Sequence, residues 1–297
     1  MLNGSTFIDF IRDRDLLFKN SFPKKRYLKM RNFTKTASQI NGRIGKAINL
    51  HQLIEDGDRI LIAVSGGKDS LTLLYFLKQI QAWAPIKFEI YCAHIKTDFS
   101  CGGCMHDKVL TDIFEKLGVK HVFRNVKVLD ENKQTTCFWC SWNKRKALFE
   151  IADELNCNKL ALGHHKDDIV ETVLLNQFCN GDISTMNPKQ PMFKGKISII
   201  RPMCLVEEDM IKTYAKEYEL PNQLCKCPFG KDSKRKYMKD LLKEIEKNIP
   251  GYNVKSNIYN SLARIKKQYI DLEEVSDLDL SIFDNKDEKG EYDVKKY

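Results

Sequence analysis

The sequence predicts an α/β fold: a doubly wound, mostly parallel five-stranded sheet with a helical C-terminal region and a basic N-terminal extension. Three observations predict it. Short apolar runs alternate with helically spaced segments through the middle of the chain, helical spacing continues alone after about residue 205, and no acidic residue occurs between Leu16 and Ile54.

The N-terminal element comes first. Residues 1–45 read as the extension, whose acid-free window holds Lys19, Lys24, Lys25, Arg26, Lys29, Arg31, Lys35, Arg43 and Lys46. Such a window could lie along a phosphate backbone, with Phe22, Tyr27 and Phe33 stacking on unpaired bases, or it could be a solvated arm. Residues 46–205 read as the sheet domain. Its candidate strands are Ile60 to Val64, Glu89 to His94, Val119 to Arg124, Lys159 to Leu162 and Ile197 to Arg201. Between them, Leu71, Leu74 and Leu77, then Val109, Ile113, Phe114 and Leu117, then Leu148, Ile151, Ala152 and Leu155, then Ile169, Val173 and Leu174 carry helical spacing. Residues 206–275 read as helices, with faces at Ile211, Tyr214, Ala215 and Tyr218, at Tyr237, Leu241 and Ile245, and at Ile258, Leu262 and Ile265. Residues 276–297 have few apolar side chains and are expected to form a loose tail.

Composition narrows the function classes. The 297 residues carry 49 Lys and Arg against 40 Asp and Glu, a formal charge of +9, and 42% are hydrophobic. No run approaches the roughly 18 apolar residues of a membrane span, and acids interrupt the first 18 positions, so neither membrane insertion nor export is expected and the cytoplasm is the expected compartment. Ten cysteines then point to metal or sulfur chemistry rather than to disulfides. Cys101 and Cys104, and Cys137 and Cys140, form C-x-x-C pairs, and Cys225-Lys-Cys227 is a C-x-C. Cys92, Cys157, Cys179 and Cys204 are isolated and read as core filler.

Three motifs carry chemistry. In Ile60-Leu-Ile-Ala63-Val64-Ser65-Gly66-Gly67-Lys68-Asp69-Ser70 a buried strand runs into a glycine turn and a helix start. Free N–H groups and the positive end of the helix dipole suit an anion there, with Lys68 adding charge and the Ser65 and Ser70 hydroxyls able to donate. The spacing is not that of a Walker loop, because Asp69 follows Gly67-Lys68 and no glycine stands five residues before Gly67. The second motif, Leu160-Ala-Leu-Gly163-His164-His165-Lys166-Asp167-Asp168, is again strand, turn and helix, and should lie beside the first. Asp167 and Asp168 could help hold Mg²⁺, His164 or His165 could contact phosphate, and Asp167 could instead cap the helix. In the third, Thr136-Cys137-Phe-Trp-Cys140-Ser, two thiols open a helix beside Lys144, Arg145 and Lys146, which suits a metal ligand or sulfur nucleophile as well as two reduced core thiols.

The Ser-Gly-Gly-Lys-Asp-Ser loop resembles that of the N-type ATP pyrophosphatases, which grip the β and γ phosphates and expose the α phosphate. Together with Thr-Cys-x-x-Cys-Ser, the Gly163 to Asp168 turn, Ile-Arg201-Pro202 and the later cysteine-rich turn, it resembles the tRNA 2-thiocytidine synthetases over roughly residues 40 to 265. That resemblance implies an adenine nucleotide alpha-hydrolase-like fold and ATP, Mg²⁺ and a 4Fe-4S cluster as cofactors. It also implies adenylation of the C2 oxygen of a cytidine, expected at tRNA position 32, followed by replacement with sulfur. The partners it implies are tRNA, a sulfur donor of the cysteine desulfurase type and an electron donor, with a homodimer possible.

Carried over, the resemblance places ATP at Ala63, Val64, Ser65, Gly66, Gly67, Lys68, Asp69, Ser70, His94, Gly163, His164 and Asp168. Lys68, Asp69, Cys137, Cys140 and Cys227 become the catalytic set. The cluster ligands would be Cys137, Cys140 and Cys227, with Cys225 the alternative third ligand because the family has C-x-x-C there. Cys101 and Cys104, with His106 nearby, have no expected counterpart and read as a plain reduced pair, with a divergent loop, a zinc half-site and a sulfur relay left open. Lys231, Lys234, Arg235, Lys236 and Lys239 form a second basic stretch that could grip RNA or be the solvated face of a helix. Two other readings remain open, a different ligase with the same loop, of the 2-thiouridine, amidating or lysidine-forming kind, and a zinc-stapled RNA-binding protein without catalysis.

Overall fold

A computed structural model describes residues 33–98, 104–221 and 234–264. The chain divides after Phe33, and the sheet and helices belong to the unit from Thr34 onward. The N-terminal stretch to residue 32, Cys101, Cys225, Cys227, Lys231 and the expected tail lie outside the described residues.

A sheet in the order β3-β2-β1-β4-β6-β5 organises the unit. Its strands are β1 (Arg59–Ala63), β2 (Glu89–Thr97), β3 (Lys120–Val126), β4 (Lys159–Ala161), β5 (Lys189–Met192) and β6 (Ile197–Ile200). β1, β2, β3, β4 and β6 pair in parallel, where the apolar runs predict strands. The expectation of five strands is corrected to six: Lys189–Met192 adds an antiparallel edge to β6, with Pro191 opposite Ser198. Proline lacks the N–H a central strand must donate, so its place is an edge, and a four-residue segment containing one gives little strand signal.

The helices are α1 (Lys35–Leu50), α2 (Lys68–Trp83), α3 (Cys104–Lys116), α4 (Cys137–Glu154), α5 (Lys166–Cys179), α6 (Glu208–Glu217), α7 (Lys234–Asn248) and α8 (Val254–Ser261). Thr34 caps α1 by accepting the Ala37 N–H at 3.1 Å, and the helix runs across the expected boundary at residue 45. Its stripe of Ala37, Ile40, Ile44 and Ala47 is buried, and it packs on α6. Leu148, Ile151 and Ala152 of α4 bury against Leu61, Tyr91, Ala93, Leu160 and Ile199, one face of the alternating strands. α5 joins α7 and α8 through Val170, Leu174, Met238, Leu242 and Val254.

Two further expectations are corrected. Tyr237 is 67% exposed, because the stripe of α7 turns on Met238 and Leu242 with Leu241 and Ile245 at its margin. Cys179 is exposed at the end of α5, whereas Cys92, Cys157 and Cys204 are buried as expected. No helix among the described residues is long and apolar enough to cross a membrane.

Candidate active site

Strand order reverses between β1 and β4, and ligands of such sheets bind beyond the carboxyl ends of the strands at that point. Both anion-type turns leave the sheet there. After β1, Val64 donates to Ala93 O at 2.8 Å, Gly66 takes φ +83°, which favours glycine, and Gly67 starts α2 without any side-chain cap. The Ser70 hydroxyl donates to Gly67 O at 3.0 Å and accepts the Ser65 N–H at 3.2 Å, while Ser65 Oγ lies 3.2 Å from Ser70 Oγ. Ser70 therefore shapes the loop from within. After β4, a Cβ on Gly163 would stand 3.2 Å from the backbone of Asp69 and Ser70, so the two turns touch backbone to backbone. Only glycine permits that approach without a shift.

Charge converges on this contact. Lys68 Nζ is 3.0 Å from Asp69 and 3.3 Å from Glu208, and although burial works against its charge, the two carboxylates hold the ammonium above its usual pKa. Glu208, the first residue of α6, also meets Lys212 at 3.1 Å and Lys239 at 2.7 Å. Burial opposes its ionisation, but these cations hold its carboxyl well below the usual range. Lys239 thus reaches Glu208, and Arg235, itself exposed, donates to Thr172 at 2.9 Å, so part of the second basic stretch is tied to residues around the site.

His165 takes the N-cap of α5, and Asp168 completes a reciprocal capping box, accepting the His165 N–H at 2.9 Å. Asp167 turns inward instead. It meets Lys255 at 2.9 Å and accepts the Glu208 N–H at 2.7 Å. The capping alternative thus falls to its neighbour His165, and both Asp167 oxygens are engaged by protein groups. His164 is pushed down to about 4, by burial first and then by Arg201 and Arg235 against Asp168, so it is neutral near pH 7. Arg201 Nε lies 3.4 Å from His164 Nδ1, and burial, with Arg145 adding, lowers the guanidinium to about 10. His94, within β2, reaches Val64 O with Nδ1 at 2.6 Å, and burial lowers it.

Glu171 is 4% exposed on α5, and burial, with Asp168 adding, raises its carboxyl to about 7 against the pull of Lys239 and Arg235. Its folded pKa exceeds the unfolded value, so the stabilisation of the protonated acid is complete below about pH 4.5 and is lost as pH rises through 7. Glu171→Gln stays neutral throughout. Denaturant titrations in metal-free buffer should therefore show the variant gaining stability over the parent from pH 5 upward, levelling above pH 7 at about 1–3 kcal/mol.

The C-x-x-C opens α4, where Thr136 accepts the Trp139 N–H at 3.1 Å. Because α4 crosses from β3 to β4, its start lies at the carboxyl edge of the sheet, as do the starts of α2 and α5. Electrostatics agree with that placement: Lys144 lowers His94, and Arg145 lowers Arg201. Cys137 is exposed and Cys140 half-buried, with no acid in the first turn of the helix. Buried Cys157 and Cys204 differ, their thiols pushed up to about 11 by desolvation. Among the described residues no three His, Cys, Asp or Glu side chains converge on a metal position.

A glycine-gated anion loop at the switch point of a doubly wound sheet defines a nucleotide-binding PP-loop protein. Residues 36–223 match the PP-loop domain model, and the chain belongs to that family. Within it, the tRNA-cytidine(32) 2-sulfurtransferase of Geotalea uraniireducens is 38% identical over 240 residues, covering 78% of this chain and 94% of its own. That of Geobacter sulfurreducens is 38% identical over 244 residues, covering 79% and 93%. The chain is a member of the tRNA-cytidine(32) 2-sulfurtransferase family. Among solved structures, the U34-tRNA thiolase NcsA from Methanococcus maripaludis with its [4Fe-4S] cluster superposes with a TM-score of 0.62 at 22% identity, covering 84% of this chain and 87% of that one, a likeness of fold.

Proposed function

We propose that this chain thiolates cytidine in tRNA, at position 32, at the expense of ATP. The single observation that carries the site assignment is the shared sheet edge: Lys68 and the bare start of α2 stand where the helix bearing Cys137 and Cys140 also begins.

The chemistry sets the demands. A pyrimidine C2 carbonyl is a poor electrophile because oxide cannot leave. Attack of its oxygen on the α phosphorus of ATP breaks the bond to pyrophosphate and turns that oxygen into part of a leaving AMP. Sulfide then adds at C2, the C2–O bond breaks and AMP departs, so no electrons are exchanged when sulfide is the donor. Ala63 to Ser70, with Gly163, His94, His164 and Asp168 around them, form the ATP site in this reading. N–H groups at the start of α2 and the Lys68 ammonium take the charge that builds on pyrophosphate. Neutral His164 contacts the nucleotide without adding charge. With Asp167 engaged by Lys255 and Glu208, Asp168 is the carboxylate that helps hold Mg²⁺, which supplies further neutralisation on the phosphates; Asp69 keeps Lys68 aimed into the loop.

Two cysteines one turn apart at a helix start, with no acid in that first turn, fit two ligands of a cluster, and Cys227, or Cys225 in its place, is the proposed third. A 4Fe-4S cluster held by three thiolates leaves one iron open to carry sulfur. A donor of the cysteine desulfurase type, an electron donor and a homodimer complete the proposal. The acid-free stretch before residue 45 is the proposed grip on the RNA backbone.

Nucleoside analysis of tRNA from cells with the gene deleted tests the reading. Loss of 2-thiocytidine, restored by the intact gene and not by Lys68→Ala, is expected. Unchanged 2-thiocytidine, or loss of a different thiolated base, would refute it.

A further inference from the structure

The exposed side of α4 carries aromatic rings beside cations. Trp139 and Trp142 stack on one another, ring centroids 5.6 Å apart and planes 10° from parallel, yet they are 48% and 44% exposed. Residues 139, 142 and 146 form one helical stripe, opposite the buried stripe of Ala147, Leu148, Ile151 and Ala152. Lys146 Nζ stands 5.7 Å from the Trp142 ring centroid, and Arg145 is exposed on the neighbouring stripe. From Cys137 to Phe149 the helix contains Lys144, Arg145 and Lys146 and no acid. Phe138, 56% exposed, extends the aromatic surface.

We propose that the Trp139–Trp142 stack is a platform for an unpaired nucleobase of the tRNA anticodon loop, a neighbour of the reacting cytidine; this rests on the thiolation reading. A base joining two already parallel rings extends the stack without rearranging them, and base–aromatic stacking accepts any base. The cations beside the rings meet the flanking phosphates. A second copy of this chain fits the patch worse, because self-association would bring Arg145 and Lys146 against their own kind. The helix would then divide its work: Cys137 and Cys140 serve the sulfur, and the opposite stripe holds the loop while one base enters the site.

The test uses the anaerobically purified full chain and a fluorescein-labelled, unmodified anticodon stem-loop, read by anisotropy. Trp139→Ala/Trp142→Ala should bind about 5- to 100-fold more weakly, Trp139→Phe/Trp142→Phe should stay within about threefold of the parent, and ATP affinity should be unchanged in both. A fully paired RNA of equal length should bind all three alike. As a second reading on the native rings, the stem-loop should quench tryptophan fluorescence in Trp83→Phe, whose remaining tryptophans are Trp139 and Trp142. Equal stem-loop binding by the parent and the Ala pair, equal losses on paired RNA, no quenching, or a dimer that the Ala pair abolishes would each overturn the platform. A parent chain that binds no tRNA would instead overturn the thiolation reading on which it rests.

Discussion

Lys68→Ala should lower tRNA-dependent pyrophosphate release by about 100- to 1,000-fold while tRNA affinity stays within about threefold. The cause is electrostatic. Lys68 is the cation of the loop that opens α2, and it bridges Asp69 at 3.0 Å and Glu208 at 3.3 Å. Removing the ammonium deletes a positive charge where pyrophosphate departs and also leaves two carboxylates facing a polyanion. Because charge on pyrophosphate grows toward the transition state, most of the loss should fall on kcat rather than on the KM for ATP. Lys68→Arg keeps the charge but not its compactness, and should recover only part of the activity. A loss below about tenfold, or a loss confined to KM, would mean that Lys68 merely joins α2 to α6.

The sequence carries β1, β2, β4 and β6 because each is a short apolar run between helically spaced segments, and burial on both faces of a sheet favours that pattern, whereas edge strand β3 is signalled by Val119, Val122 and Phe123 alone. Edge strand β5 escaped it: a hairpin of four residues containing Pro191 needs β6 beside it to exist as a strand. Loop chemistry was legible where the chain alone dictates it, as at Gly66, whose positive φ favours glycine. Glu208 was not. Two acids at a helix start read as partners of the helix dipole, and only the folded sheet brings Glu208 to Lys68, 140 residues away.

The turn after β4 illustrates the same limit at short range. Its residues suggested an aspartate cap and a carboxylate pair for a metal. The fold gives the cap to His165, returns Asp168 to the His165 N–H and sends Asp167 to Lys255 and the Glu208 N–H, because α6 and α8 pack against the start of α5. Glu171 likewise gave no signal: its raised pKa follows from burial beneath α7, on a helix whose neighbours the sequence does not name. Cys179, which reads as filler, ends its helix in solvent, whereas Cys137 is exposed and Cys140 half-buried at the start of α4.

Adenylation and sulfur insertion are proposed here as separate tasks of one sheet edge, and Cys137→Ser and Cys140→Ser divide them. Neither thiol contributes to the phosphate loop, so both variants should release pyrophosphate with ATP and tRNA within about threefold of the parent. Without a ligand the cluster should be lost, leaving colourless, iron-free protein whose tRNA product contains no detectable 2-thiocytidine, a fall of at least about 100-fold. The decisive measurement is therefore the ratio of 2-thiocytidine formed to pyrophosphate released, taken anaerobically with sulfide present. The account gives a ratio near one for the parent and near zero for either serine variant. A serine variant that keeps the parental ratio, or a parent that thiolates while holding no iron, would contradict it.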